Sequence, residues 1–229
     1  MMKIIALGDT HGKPYWKKII TSETFDKIIF MGDYLDSFDI SKEDQINNFL
    51  DILEYKRANK EKVVLLIGNH DYHYMMGVSE TYSGFSQTTK VIVEPILEQA
   101  IKERLFQICF EIDDFLFSHA GVTKTWCRDN EINMKFPVKS INNLFKESLT
   151  PFSFNGWNPY GDDITQSPLW VRLKSLLNDR IDRYVQVVGH TRVNRLDITG
   201  PIVLIDTLDS TGEYLILENG ELSVGKYTK

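Results

Sequence analysis

Aspartate and histidine recur in this sequence at one kind of place, directly after a short apolar run. Residues 3–12, KIIALGDTHG, break at Gly8 and then present Asp9 and His11. Residues 28–32, IIFMG, lead into Asp33. Residues 63–68, VVLLIG, lead into Asn69 and His70; 115–118, FLFS, into His119; and 185–189, VQVVG, into His190. Oxygen and imidazole donors with no thiolate among them suit manganese, iron or zinc better than the soft-ligand metals. The set carries more nitrogen than a magnesium or calcium site would. Asp9, His11, Asp33, Asn69, His119 and His190 are too many for one tetrahedral ion. They suffice for two ions if one carboxylate is shared. Two ions about 3.5–4 Å apart are a known device for in-line displacement at phosphorus. His73, the fifth histidine, has no apolar run in front of it and reads as an ordinary polar residue.

These residues need elements that deliver them to one place. Each run has the length and β-branched character of a buried strand. In a parallel sheet, residues just past the carboxyl end of a strand lie in the crevice where ligands bind. The segment after Gly12 has amphipathic helical spacing with Pro14 at its start. Ser41 can cap a second helix whose inner face is Ile46, Phe49, Leu50, Leu53 and Tyr55. The order is then β-α-β-α-β, the pattern of a parallel sheet with right-handed crossovers.

Further on, 91–104, 139–149 and 167–177 have helical spacing. Residues 107–112 and 115–118 flank Asp113-Asp114 as a hairpin, and Asn219-Gly220 marks another between 214–217 and 222–224. Residues 202–206 form one more strand. Residues 72–90 and 151–161, rich in Gly, Ser, Thr and aromatics, read as structured loops. The fold class that fits is α/β. Two mixed β-sheets pack face to face with helices outside, a four-layer α/β/β/α sandwich, as a single domain over residues 1–229.

The composition is that of an ordinary globular chain: 42% apolar, 25% charged, net charge -6. That balance argues against a duplex nucleic-acid binder, which would show a basic stripe. Cys109 sits in the apolar run FQICF and reads as core, while Cys127 reads as part of a polar loop, TWCRDN. Two cysteines make no disulfide framework, and a reducing, cytoplasmic setting is the simpler expectation. No signal peptide is visible, and no apolar run approaches a membrane span.

The ordered motifs GDTHG, GDYLD, GNHD, SHAG and GHT resemble the calcineurin-like metallophosphoesterases. They are most similar to the phosphoprotein phosphatase branch, which also holds diadenosine tetraphosphate hydrolases and many bacterial and phage phosphatases. The resemblance runs from Lys3 to about Asp206, and SPLWVR at 167–172 resembles a segment of bacterial members. It implies the metallophosphoesterase sandwich and two divalent ions, manganese first, with iron, zinc or nickel as the others. By the resemblance, Asp9, His11 and a bridging Asp33 hold the first ion, and Asp33, Asn69, His119 and His190 hold the second. His70 matches the general acid and Asp36 the carboxylate that orients it.

Two departures stand out. Ser37 and Ile67 occupy places where the protein phosphatases carry phosphate-gripping arginines. Arg172, Arg192 and Arg195 are candidate replacements, with Asn69 as a further substrate contact. Where the wider superfamily carries a second histidine in the last motif, this chain has Arg192.

The implied function is hydrolysis of phosphate esters by a metal-activated hydroxide, as a phosphatase of phosphomonoesters, phosphoproteins among them. A dinucleoside polyphosphate hydrolase is the alternative within the class. A non-catalytic scaffold on the same fold is the alternative outside it. The partners implied are a phosphorylated small molecule, nucleotide or phosphopeptide, with no membrane. The aromatic residues Tyr72, Tyr74, Tyr82, Phe85, Phe152, Phe154 and Trp157 could grip such a substrate, and loop packing is the plainer reading.

Overall fold

A computed structural model describes residues 2–156, 158 and 160–227. In chain order its elements begin β1 (Lys3–Leu7), α1 (Tyr15–Ser22), β2 (Lys27–Phe30), α2 (Lys42–Ala58), β3 (Val63–Leu66) and α3 (Asn69–Tyr72). Then come α4 (Gln87–Lys102), β4 (Phe106–Gln107), β5 (Cys109–Ile112), β6 (Phe115–Ser118), α5 (Lys124–Asp129) and α6 (Pro137–Glu147). Last are α7 (Leu173–Asp179), β7 (Val185–Arg192), β8 (Ile202–Asp206), β9 (Glu213–Glu218) and β10 (Glu221–Lys226).

The strands form two mixed sheets. One has the order β10-β9-β1-β2-β3-β4 and the other β5-β6-β7-β8. In the first, β1, β2, β3 and β4 run parallel, and β9 and β10 fold back antiparallel on β1. In the second, β6, β7 and β8 are parallel, with β5 antiparallel to β6. Both expected hairpins form, the first from Cys109–Ile112 only, since Gln107 belongs to β4 of the other sheet. Asp113 and Asn219 take positive φ at the two turns, and Gly220 follows with φ 82°, as a tight two-residue turn requires.

Alternation along each strand divides side chains between two faces. Ile4, Ala6, Ile29, Met31 and Leu66 of the first sheet pack against Phe117, Val187, Val203 and Ile205 of the second. The intervening residues Ile5, Leu7, Phe30 and Leu65 face the other way, onto Trp16 and Ile19 of α1, Phe49 and Leu53 of α2, and Val93 and Leu97 of α4. On the far side, Val188 and Ile202 pack with Leu176 of α7, while Cys109 and Leu116 join Trp126 of α5 and Ile141 of α6. The result is the four-layer α/β/β/α sandwich.

Local signals place several boundaries. Ser41 Oγ accepts the Asp44 N–H at 3.1 Å and starts α2. The inner face of α2 contains Ile52, with Leu50 and Tyr55 only partly covered. Helix α4 begins at Gln87, inside the expected loop 72–90, because Ser86 caps it through the Thr89 N–H. The stretch 167–177 is helical only from Leu173. Cys127 is not in a polar loop: it is buried in α5, where Trp126 and Cys127 turn into the core. Among the described residues, no helix is long and apolar enough to cross a membrane.

Candidate active site

The loops after β1, β2, β3 and β6, together with the end of β7, converge on one cavity of about 490 Å³. Asp9, His11, Asp33, Asn69, His70 and His190 line it, and His119 lies fully buried behind Asn69. His11, Asp33, Asp36 and His190 all have φ between 42° and 67°, the left-handed region that non-glycine residues avoid. Strain of this kind costs about 1–3 kcal/mol per residue. Full burial of a single Ile, Leu or Phe contributes about 1.5–3 kcal/mol. The core between the sheets therefore outweighs the strained exits.

Three devices hold the exits together. Asp71, wholly buried, accepts the N–H groups of Asp33 (2.8 Å), Tyr34 (2.9 Å) and Gly68 (2.9 Å), so one carboxylate ties the end of β2 to the end of β3. Burial and the charge of Asp33 push the Asp71 pKa up, and the three N–H donors work against them. Close backbone approach supplies the second device. A Cβ on Gly68 would lie 2.1 Å from Asp33 Oδ1, and one on Gly189 would lie 2.2 Å from Asp9 Oδ1. The third is a bulge in β7 between Val188 and Arg192, which re-aims His190 into the cavity and extends the strand past its expected end at Gly189.

The proton positions on the histidines follow from their partners, since a carbonyl can only accept. His119 Nδ1 donates to Met31 O at 2.9 Å, His190 Nε2 to Trp170 O at 3.2 Å, and His11 Nδ1 to Leu35 O at 2.7 Å. Each remaining ring nitrogen carries a lone pair. Those of His119 and His190 lie 3.2 Å apart, and Asn69 Oδ1 lies 2.9 Å from both. Asp33 Oδ2 is 3.5 Å from His119 Nε2 and 3.9 Å from His11 Nε2, between the two donor sets.

Donor atoms around one ion with bonds of about 2.0–2.2 Å must sit roughly 3 Å from one another. Asn69 Oδ1, His119 Nε2 and His190 Nδ1 fit that spacing, and Asp33 Oδ2 stands 3.5 Å from His119 Nε2. The atoms of Asp9, His11 and Asp33 cluster within 4.8 Å. Burial drives the pKa of His119 down and that of His190 well down, toward the neutral form a metal ligand needs. Burial, then the charges of Asp206 and Asp33, push the Asp9 pKa up.

His70 stands beside this group. Its ring Nδ1 is 2.9 Å from Asp36 Oδ2, and its backbone N–H donates to Asp33 Oδ1 at 2.9 Å. Burial lowers its pKa, and the carboxylates of Asp33 and Asp36 more than offset that. Asp36 also accepts the Tyr74 hydroxyl at 2.6 Å. Burial alone would raise its pKa, yet bonds from His70, His73 and Tyr74 bring it down to about 2. His73 is therefore not an ordinary polar residue. It is fully buried, with Nε2 2.7 Å from Asp36 Oδ2. The approach is short but oblique, and His73 Nε2 has no well-aligned partner.

The arginines differ from one another. Arg172 lines the cavity, with Nε donating to Tyr160 O at 3.0 Å and Nη1 to His190 O at 2.9 Å. Its Nη2 takes part in neither bond. Arg192 also lines the cavity, exposed, with Nη2 on Asp209 Oδ2 at 3.0 Å. Arg195 is exposed and does not line the cavity. Ile67 is buried in the core, and Ser37 is locked by the Gln45 amide through its N–H (3.0 Å) and carbonyl (3.1 Å).

Asp206 and Lys13 are among the site residues that the sequence reading does not single out. Asp206 ends β8 and lines the cavity, its pKa raised to about 6 first by burial. It follows the apolar run IVLI, the same signal that marks the others. Lys13 reaches an adjoining cleft of about 260 Å³ beside Asp36 and His70, paired with Asp39 at 3.2 Å and Asp209 at 2.5 Å. Most of the aromatics pack: Tyr72, Tyr74 and Phe152 are buried, Phe85 and Phe154 are partly so, and Trp157 lies outside the described residues. Tyr82 lines the cavity.

The family model described as calcineurin-like phosphoesterase matches residues 2–197. A symmetrical bis(5'-nucleosyl)-tetraphosphatase of Yersinia enterocolitica is 27% identical over 124 residues, which is 48% of this chain and 41% of the relative. The match thus spans less than half of that relative's length. A protein serine/threonine phosphatase from Saccharomyces cerevisiae superposes with a TM-score of 0.61 at 14% identity, over 100% of this chain and 81% of the other. A metallophosphoesterase from Sphaerobacter thermophilus does so with a TM-score of 0.55 at 12% identity, over 99% and 88%. At these identities the two structures show a shared fold.

Proposed function

The chain belongs to the calcineurin-like phosphoesterase family, and from that premise we propose that it is a dinuclear metal-dependent phosphatase of phosphomonoesters. The observation that carries the proposal is the convergence of His119 Nε2, His190 Nδ1 and Asn69 Oδ1 within 2.9–3.2 Å of one another, each a lone-pair donor. Such a cluster in a buried place is stable around a cation and repulsive without one.

Asp9, His11 and Asp33 hold one ion in this reading. Asp33, Asn69, His119 and His190 would hold the other, with Asp33 a ligand common to both sets. Ions held there would supply positive charge for the phosphoryl oxygens and would lower the pKa of a water toward neutral. The protein's own groups do the rest. The bonds of Arg172 to the carbonyls of Tyr160 and His190 fix its plane, leaving Nη2 for a phosphate oxygen. Asp36 holds the His70 ring through Nδ1, so His70 Nε2 is the atom left to give a proton to the departing oxygen. Asp71 keeps the two exit loops in register while this happens.

The test is a screen of the purified chain, loaded with manganese, against p-nitrophenyl phosphate, alkyl phosphates, phosphopeptides, nucleotides and dinucleoside polyphosphates. Turnover of monoesters that a chelator abolishes is the expected result. Turnover confined to dinucleoside polyphosphates would overturn the monoester assignment. Metal binding without turnover of any phosphoester would favour a scaffold.

A further inference from the structure

We infer that His73 is a positioning residue for the acid His70, and that through it the Tyr82–Ser83 edge of the cavity sets the His70 ring. The inference rests on the phosphoesterase reading above and adds a residue to it.

The direction of the hydrogen bonds carries the argument. The Tyr82 backbone N–H donates to His73 Nδ1 at 3.2 Å. That nitrogen must therefore hold a lone pair, and the ring hydrogen sits on Nε2. Nε2 lies 2.7 Å from Asp36 Oδ2, the same oxygen that His70 Nδ1 approaches at 2.9 Å. Two imidazoles thus share one carboxylate oxygen, and the Tyr74 hydroxyl takes the other at 2.6 Å. A freely rotating carboxylate could not orient His70. This one is held by the Tyr74 hydroxyl and by the close, oblique approach of the His73 ring.

Packing fixes His73 in turn. It is wholly buried, stacked on the Tyr82 ring at 5.2 Å and 18°, and edge-on to Tyr74 at 4.3 Å. Tyr74 Oη also accepts the Ser86 N–H at 3.1 Å, a second tie from the same loop. Tyr82 and Ser83 line the cavity, and Tyr82 packs edge-on against Trp170, another lining residue, at 4.4 Å. A substrate that presses on this edge acts on the Tyr82 N–H, and so on His73, Asp36 and His70 in order.

Asp36, His70 and His73 also lie close enough together to be read as ligands of one ion. The Tyr82 N–H argues against that. A ring that accepts it at Nδ1 presents a hydrogen, and not a lone pair, toward Asp36. A purely space-filling His73 is the other reading, and it predicts no dependence on the leaving group.

The experiment compares His73→Leu and His73→Gln with the wild type on an alkyl phosphate and on p-nitrophenyl phosphate, with metal content measured in each. Glutamine can accept the Tyr82 N–H and donate to Asp36, whereas leucine can do neither. Leucine should leave both metals bound and KM nearly unchanged. It should lower kcat about 10-fold or more on the alkyl ester, with a much smaller loss on the nitrophenyl ester, whose leaving group needs little protonation. Glutamine should restore most of that loss. Equal losses on the two substrates, or glutamine no better than leucine, would overturn the inference. Should His73→Leu fail to fold, nitrogen NMR of the wild-type ring decides: hydrogen on Nε2 is expected, and hydrogen on Nδ1 alone would overturn it. A wild-type chain that turns over neither ester with both metals bound would instead overturn the phosphoesterase reading, a result obtained before any variant is made.

Discussion

His119 Nε2 and His190 Nδ1 face each other 3.2 Å apart, and neither carries a proton, because each ring already donates its hydrogen to a backbone carbonyl. Two buried lone pairs at that distance repel. The contact joins the exit of β6 to the end of β7, and Asn69 Oδ1 lies 2.9 Å from both nitrogens, a cluster of lone pairs that a cation would relieve. The same logic makes the backbone carbonyls of Met31 and Trp170 part of the site, since they choose which nitrogen each ring offers.

Asp71 is expected to matter for stability before it matters for chemistry. Its carboxylate is the acceptor for three buried N–H groups, two of them from the loop that carries Asp33. In Asp71→Asn the amide NH₂ must face at least one of those donors. An unsatisfied buried group costs about 1–3 kcal/mol, which for a chain of this size lowers Tm by about 2–12 °C. Thermal unfolding of the variant, followed by circular dichroism, checks this. An unchanged Tm would show that the clamp contributes nothing.

His70 is expected to act on the leaving group and not on metal retention. Its side chain is bonded to Asp36, away from the lone-pair cluster. General acid catalysis contributes roughly 10²–10⁴-fold where the leaving group is poor. His70→Asn should keep both metals and lose far more rate on an alkyl phosphate than on p-nitrophenyl phosphate. Asp36→Asn should show a milder form of the same bias. A drop in metal content, or equal losses on both esters with metals intact, would count against the assignment.

Much of this was legible in the sequence because the site uses one repeated device. An apolar run long enough for a strand, then Gly or Ser, then a ligand-type residue describes the positions of Asp33, Asn69, His119 and His190; Asp33, Asn69 and His190 line the cavity and His119 lies against Asn69 behind it. The residues that escaped do so for physical reasons. Asp71 and His73 lie in and just after the four-residue helix α3, too short for a period to distinguish them, and their partners Asp33 and Asp36 are more than 30 residues away. The β7 bulge is a departure from strand geometry that VQVVGHTR does not announce. Helix α5 is too short for its burial pattern to show. Asp206, at the end of β8, carries the same signal as the others.

Arg172 is expected to carry more of the phosphate grip than Arg192. Its guanidinium is fixed on two carbonyls and partly buried, while Arg192 is exposed and paired with Asp209. A charge-assisted bond to phosphate contributes about 1.5–3 kcal/mol. Arg172→Ala should therefore lower kcat/KM roughly 10–100-fold, and Arg192→Ala by less. Arg172→Lys should recover little, since an ammonium cannot bond both carbonyls and a phosphate in one plane. Steady-state kinetics on one monoester decides. Equal, negligible effects of both alanine variants would leave the phosphate to the metals alone.

The shared carboxylate of Asp33 is the centre of the account, and counting ions tests it most directly. The chain is loaded with manganese, freed of excess, and analysed for metal alongside hydrolysis of p-nitrophenyl phosphate. Wild type should hold two ions per chain, with activity rising as they bind. His11→Ala should lose mainly one, and Asp33→Asn should weaken both and lose activity, because Asp33 Oδ2 lies between His11 and His119. Two ions retained in Asp33→Asn, with full activity, would contradict the account.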